Sequence, residues 1–160
     1  MIIPPNTKML LFRYNDYARK SFIDEHRAVI NNNGYVWMMR LGKRTSPEKL
    51  RQVTEAGGFV VLKSPKKNGD HYYLAHYTDV ASALPDDSKH MPDYYNKLIQ
   101  EGYLYDTGVQ VFKIDSIFDM TAEQISTLRL QLNGKPVDEV IKQTRTAVMF
   151  IENVEQLEIA

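Results

Sequence analysis

The sequence predicts an α+β fold, and three observations carry the prediction. Strand-like apolar runs are separated by helical segments in some places and stand back to back around a turn in another, which is not regular βαβ alternation. Helix start signals of the S-x-x-D, S-P and T-x-x-Q kinds occur at Ser21, Ser46 and Thr121. Hydrophobic residues make up 43% of the 160 positions. A chain of this length buries roughly 70% of its unfolded surface without disulfides.

In order, Lys8–Tyr14 is an apolar and aromatic strand. Ser21 and Asp24 open a helix whose face is Phe22, Ile23, His26, Val29 and Ile30, and Asn31–Asn33 with Gly34 end it. Tyr35–Leu41 is the next strand. Ser46 caps a helix with Pro47 at its first position, a stripe of Leu50, Val53 and Ala56, and a stop at Gly57–Gly58. Phe59–Lys63 and His71–Val80 form a hairpin around SPKKNGD, where Asn68–Gly69 is a turn signal. Residues 82–92, with two prolines and no apolar period, read as a surface loop. A short helix after Pro92 carries Tyr95, Leu98 and Ile99 and closes at Gly102. Val109–Ile114 is a strand, Thr121 and Gln124 box a helix with Ile125 and Leu128, Pro136 begins another short helix, and Thr146–Ile151 is the last strand. No repeat or low-complexity tract divides the chain, so residues 1–160 read as one domain.

Much chemistry is excluded. There is no cysteine, hence no disulfide framework, thiolate metal site or Cys nucleophile. Phosphate-cradling and dinucleotide glycine motifs, the G-x-S-x-G elbow and H-E-x-x-H are absent. His71 and His76 differ by an odd number on one strand and point to opposite faces. His26 on an apolar helix face reads as a satisfied, partly buried histidine, and Asp86–Asp87 as a solvated turn. No metal and no cofactor is expected. The opening apolar run is too short for a membrane span or a signal core. With no N-x-[ST] sequon, a cytoplasmic chain without a membrane role is the expectation.

The formal net charge of zero is a sum of opposites. Residues 1–80 hold thirteen basic against seven acidic residues, and residues 81–160 the reverse. Such asymmetry suggests a surface for a polyanion, unless the halves neutralise each other on folding. The positive half also interleaves rings with charges, in FRYNDYARK (Phe12–Lys20) and YVWMMRLGKR (Tyr35–Arg44). Rings stack bases, Asn and Asp read base edges, and Arg and Lys hold phosphates. Trp37 equally suits the core, and Asn15 with Asp16 equally suits a strand-to-helix turn.

The segments FRYND, GYVWMMRLGK, FVVLKSPKKNGDHYYLAHYTDV, VFKIDSIFDMT and NGKPVDEVIKQTRTAVMFI, in this order, resemble the PUA-like superfamily, in particular EVE-type domains. The resemblance covers most of the chain. It implies a small mixed β-barrel-like sheet with flanking helices and a pocket for a nucleotide or a modified, flipped base. The positions it marks are Arg13, Tyr14, Asn15, Trp37, Arg40 and Lys43. A single Trp must recruit Tyr35, Tyr14 or Tyr72 to complete a cage, and Asp16 and Lys63 stand near the same segments. The expected partner is therefore nucleic acid, DNA or RNA, or a nucleotide. Two other classes compete: a metal-independent ribonuclease of ASCH-like type using a pair such as Lys63 with Asp16, and a nucleotide or small-ligand sensor without a polymer groove.

Overall fold

The computed structural model describes residues 1–17, 19–41, 44–100 and 109–159. Its elements are β1 (Ile2–Ile3), β2 (Lys8–Arg13), α1 (Phe22–Asn33), β3 (Val36–Leu41), α2 (Pro47–Glu55), β4 (Phe59–Lys63), β5 (Tyr72–Ala81), α3 (Tyr94–Gln100), β6 (Val109–Asp119), α4 (Ala122–Ser126), β7 (Leu128–Leu130), α5 (Val137–Val140), β8 (Val148–Asn153) and β9 (Leu157–Glu158). Single 3-10 turns stand at Lys66–Asn68 and Ser88–His90. The fold is α+β.

Seven strands hydrogen-bond in the order β3-β6-β5-β4-β2-β8-β7, and β1 pairs with β9. The sheet is mixed: β2 runs parallel to β4 and antiparallel to β8. Flanked on both edges, β2 buries Met9, Leu10 and Leu11 completely. All five residues of β4 are buried, the continuous apolar pattern of an interior strand. Among the described residues no pairing joins β3 to β7, so the barrel closure implied by the resemblance is not present.

The helix signals act as their chemistry dictates. Ser21 Oγ accepts from Asp24 N at 3.3 Å, and Gly34 ends α1 at φ 89°, where a side chain would be strained. Thr121 and Gln124 form a reciprocal capping box on α4.

Several elements differ from expectation. Leu128 opens β7 rather than closing a helix, because Thr127 caps α4 and Leu128 pairs with Asn153. Strand β6 continues to Asp119, five residues past Ile114. Ala56 is exposed beyond the end of α2 and belongs to no buried stripe. The two-residue strands β1 and β9 had no detectable period. Gly102 and Lys43 lie outside the described residues.

Two compact units make up the chain. The first comprises residues 1–15, 48–75 and 117–160; the second comprises residues 16–47 and 76–116. The first unit's core is built on Met9, Leu11, Val61, Leu74, Leu128, Val137, Met149 and Ile151. The second unit's cluster holds Trp37, Met39, Met91, Tyr95, Leu98 and Val111. No helix among the described residues is long and apolar enough to cross a membrane.

Candidate functional site

In the second unit the chain gathers rings around one carboxylate. On β3 and just before it, alternation puts Tyr35 and Trp37 on the same face. Tyr35 Oη and Trp37 Nε1 both donate to Asp87 Oδ2, at 2.8 and 3.0 Å. His90 Nδ1 lies 2.6 Å from the other oxygen, Oδ1, and His90 Nε2 lies 3.2 Å from the Asn33 carbonyl at the end of α1. The His90 imidazole stacks on Tyr35, centroids 3.7 Å apart and planes at 3°. Lys113, opposite Trp37 in the β3–β6 register, holds its Nζ 4.3 Å from the centre of the Tyr35 ring. Two groups this close cannot share one ring face, so His90 and Lys113 take opposite faces of Tyr35.

The electrostatics follow from the contacts. The His90 hydrogen bond, the largest effect, holds the Asp87 carboxyl down at about 2; burial opposes it, and the weaker bonds from Tyr35 and Trp37 add to the lowering. The Asp87 bond in turn raises the Tyr35 phenol above its ordinary value. Asp87 is therefore no simple solvated turn, although its neighbour Asp86 is exposed. The surface loop expected over residues 82–92 contains a 3-10 turn whose His90 is buried.

The sequence-predicted residues fall into two sets. The first unit holds Arg13, Tyr14, Asn15, Lys63 and Tyr72; the second holds Asp16, Tyr35, Trp37 and Arg40. In the second unit, Tyr35 and Trp37 are brought together, ring centroids 6.4 Å apart and edge-on at 89°. Trp37 is only 8% exposed and packs in the apolar cluster, so the indole face that a stacked base needs is already covered. Arg40 is half-buried, and burial lowers its pKa. Asp16 Oδ1 accepts from Phe22 N at 2.9 Å, a second cap on α1.

In the first unit, the half-buried Arg13 is spent on the main chain. Its guanidinium donates to the carbonyls of Ile141, Thr144 and Thr146, pinning the segment between α5 and β8. Tyr14 is buried and tilts against Tyr73, while Asn15 is exposed. Lys63 is 3% exposed; its Nζ donates to the Ser64 carbonyl at 2.8 Å and lies 3.4 Å from Asp70. It also lies 5.5 Å from the centre of the Tyr72 ring, whose buried phenol is pushed up to about 12. Of the pair named for a ribonuclease, Lys63 belongs to the first unit and Asp16 to the second.

Asp87, His90 and Lys113 were missed as site residues. Asp87 and His90 stand three apart in a proline-bounded polar stretch, spacing that suits a turn with facing side chains, but nothing local says that the turn docks on β3. Among the described residues no cluster of His, Asp and Glu could hold a metal ion.

The charge asymmetry of the two halves does not survive folding. Each unit draws on both halves. The first carries eleven basic and ten acidic residues, net +1, and the second nine and ten, net −1. Comparison with known proteins yields no match among family models, curated proteins or solved structures.

Proposed function

We propose that the chain is a nucleobase-binding domain that takes a nucleotide, or one unpaired base of a nucleic acid, on the Tyr35 ring. The observation that carries this reading is the Tyr35 platform. Its hydroxyl is fixed by Asp87, a planar heterocycle already stacks on it at 3.7 Å, and a lysine stands over its other face. A base stacked in the place of the His90 ring contributes about 1–3 kcal/mol. Lys113, on the opposite face of Tyr35, offers its cation to a phosphate. The PUA-like, EVE-type resemblance implies the same ligand class.

The near-neutral units favour the nucleotide, or a very short contact with a polymer, over a long polyanion groove. Few released counterions mean a shallow dependence of affinity on salt. Trp37 is the only tryptophan and shares Asp87 with Tyr35, so its fluorescence reports on the platform. Nucleoside monophosphates and short single strands of each base are titrated at low and at physiological salt. A saturable change that weakens little with salt and disappears in folded Tyr35→Ala is expected. Absence of saturable binding by any base at low salt refutes the reading.

A further inference from the structure

The His90 ring occupies the place that a stacked base would take. It lies parallel to Tyr35, and each of its ring nitrogens faces an acceptor: Asp87 Oδ1 at 2.6 Å and the Asn33 carbonyl at 3.2 Å. Asn33 Nδ2 also donates to the Lys89 carbonyl at 2.9 Å, tying the segment to the end of α1. The partners at both edges of this imidazole are thus acceptors. Asp87 Oδ2 is separately engaged by Tyr35 and Trp37, so the platform keeps its own anchor if His90 leaves.

We infer that the segment Asp87–His90 closes the Tyr35 site on itself, with His90 as an internal stand-in for the ligand, and that the ligand displacing it is a heterocycle with N–H donors along its edge, guanine rather than adenine. This rests on the nucleobase reading above. Guanine presents N1–H and, beside it, an amino group whose outer N–H points well away from N1–H, so the two can donate to the separated acceptors that His90 vacates. Adenine presents the N1 lone pair at the corresponding position and sets it against a carboxylate oxygen. Leaving those acceptors unpaired is costly, which makes the donor edge the basis of discrimination. Because the closed form competes with ligand, apparent affinity is reduced by the fraction of molecules that are open.

The test uses the full chain, wild type and His90→Gly, titrated with guanosine monophosphate, adenosine monophosphate, imidazole and thiazole. Trp37 fluorescence and thermal unfolding are the readouts. Guanosine monophosphate is expected to bind the wild type at least about tenfold more tightly than adenosine monophosphate, and to bind His90→Gly more tightly still. Imidazole is expected to raise the unfolding temperature of His90→Gly but not of the wild type, and thiazole, which has no N–H, to raise neither. If His90→Gly does not fold, His90→Gln, which keeps a donor without the ring, replaces it for the nucleotide comparison. Nucleotide binding without base preference, or unchanged by loss of the His90 ring, overturns the inference and leaves the nucleobase reading standing. Imidazole rescue without any nucleotide binding overturns the nucleobase reading and, with it, the guanine assignment. Failure of imidazole to stabilise folded His90→Gly overturns the stand-in role.

Discussion

Acidification from pH 7 to pH 5 is expected to destabilise the chain through one residue, His26. Its ring is completely buried in the second unit. Nδ1 lies 2.7 Å from the Phe22 carbonyl, so it carries the hydrogen; Nε2 lies 2.6 Å from Tyr95 Oη and accepts. Tyr95 Oη in turn accepts from Met39 N at 2.9 Å. Every atom of this chain is satisfied with His26 neutral. A proton on Nε2 would oppose the Tyr95 hydroxyl and strand a charge in the core. Burial accordingly lowers His26 from 6.5 to about 4, against a smaller opposing effect of the Phe22 bond. The unfolded chain therefore binds the extra proton first, and stability rises with pH between about 4 and 6.5. The full difference, about 2.5 pH units at 1.36 kcal/mol each, is roughly 3.4 kcal/mol, of which about 2 kcal/mol is lost between pH 7 and pH 5. Urea unfolding of the wild type and His26→Gln at both pH values isolates it. Glutamine can still accept from Tyr95 but does not titrate, and all other groups are common to both proteins. The stability gap between the two is expected to narrow by about 2 kcal/mol on acidification. Equal losses in both proteins, or a folded-state NMR titration of His26 near 6.5, would refute the reasoning.

Three further substitutions probe the contacts. Asp87→Asn removes the charge that three donors share and is expected to cost about 2 kcal/mol by urea unfolding, with a red shift of Trp37 emission; an unchanged spectrum contradicts the hub. Arg13→Ala strips three carbonyls of their donor and is expected to cost about 2–3 kcal/mol, with faster amide exchange in residues 144–148 and no change in nucleotide affinity. Loss of affinity without loss of stability would restore Arg13 to the ligand site. Gly57 has φ 131°, and a Cβ there would stand 2.7 Å from the Phe59 ring. Gly57→Ala is expected to lower stability by about 1–3 kcal/mol in thermal unfolding, and a neutral result would show that both backbone and ring adjust freely.

Legibility from sequence tracked how local the physics was. The capping box at Thr121 and Gln124, the cap at Ser21 and the stop at Gly34 involve residues only a few positions apart, and each was readable. Leu128 was misread because its strand identity comes from Asn153, far along the chain. The same limit governs the site. Tyr35 and Trp37 were readable as a ring pair by alternation, but Asp87 lies 52 and 50 positions beyond them. Arg13 looked like a phosphate ligand because a strand-end arginine among aromatics has that composition; the three carbonyls it serves lie at least 128 positions away. His26 was readable as a satisfied histidine, and the structure sharpens partly buried to fully buried.

Charge shows most clearly how topology overrides composition. The sign change between the halves of the sequence suggested a positive face near residues 12–44. Antiparallel pairing instead sets β2, from the basic half, beside β8 from the acidic half, with Lys8 opposite Glu152. Strand β3 pairs with β6 in the same way. Each unit ends within one charge of neutral. Long-range attraction of a polyanion needs an uncompensated field, and exposed charges more than about 8–10 Å apart are largely screened at physiological salt. On the nucleobase reading proposed above, selectivity would come from short-range contacts: the face of Tyr35, the two acceptors beside His90, and the Lys113 cation. Binding governed by such contacts ranks ligands by the donor pattern of the base and depends little on chain length. A series from mononucleotide to longer single strands at fixed base identity reads this directly. Affinity is expected to level off within the first one or two nucleotides, and a steady rise with length would instead locate an extended basic surface.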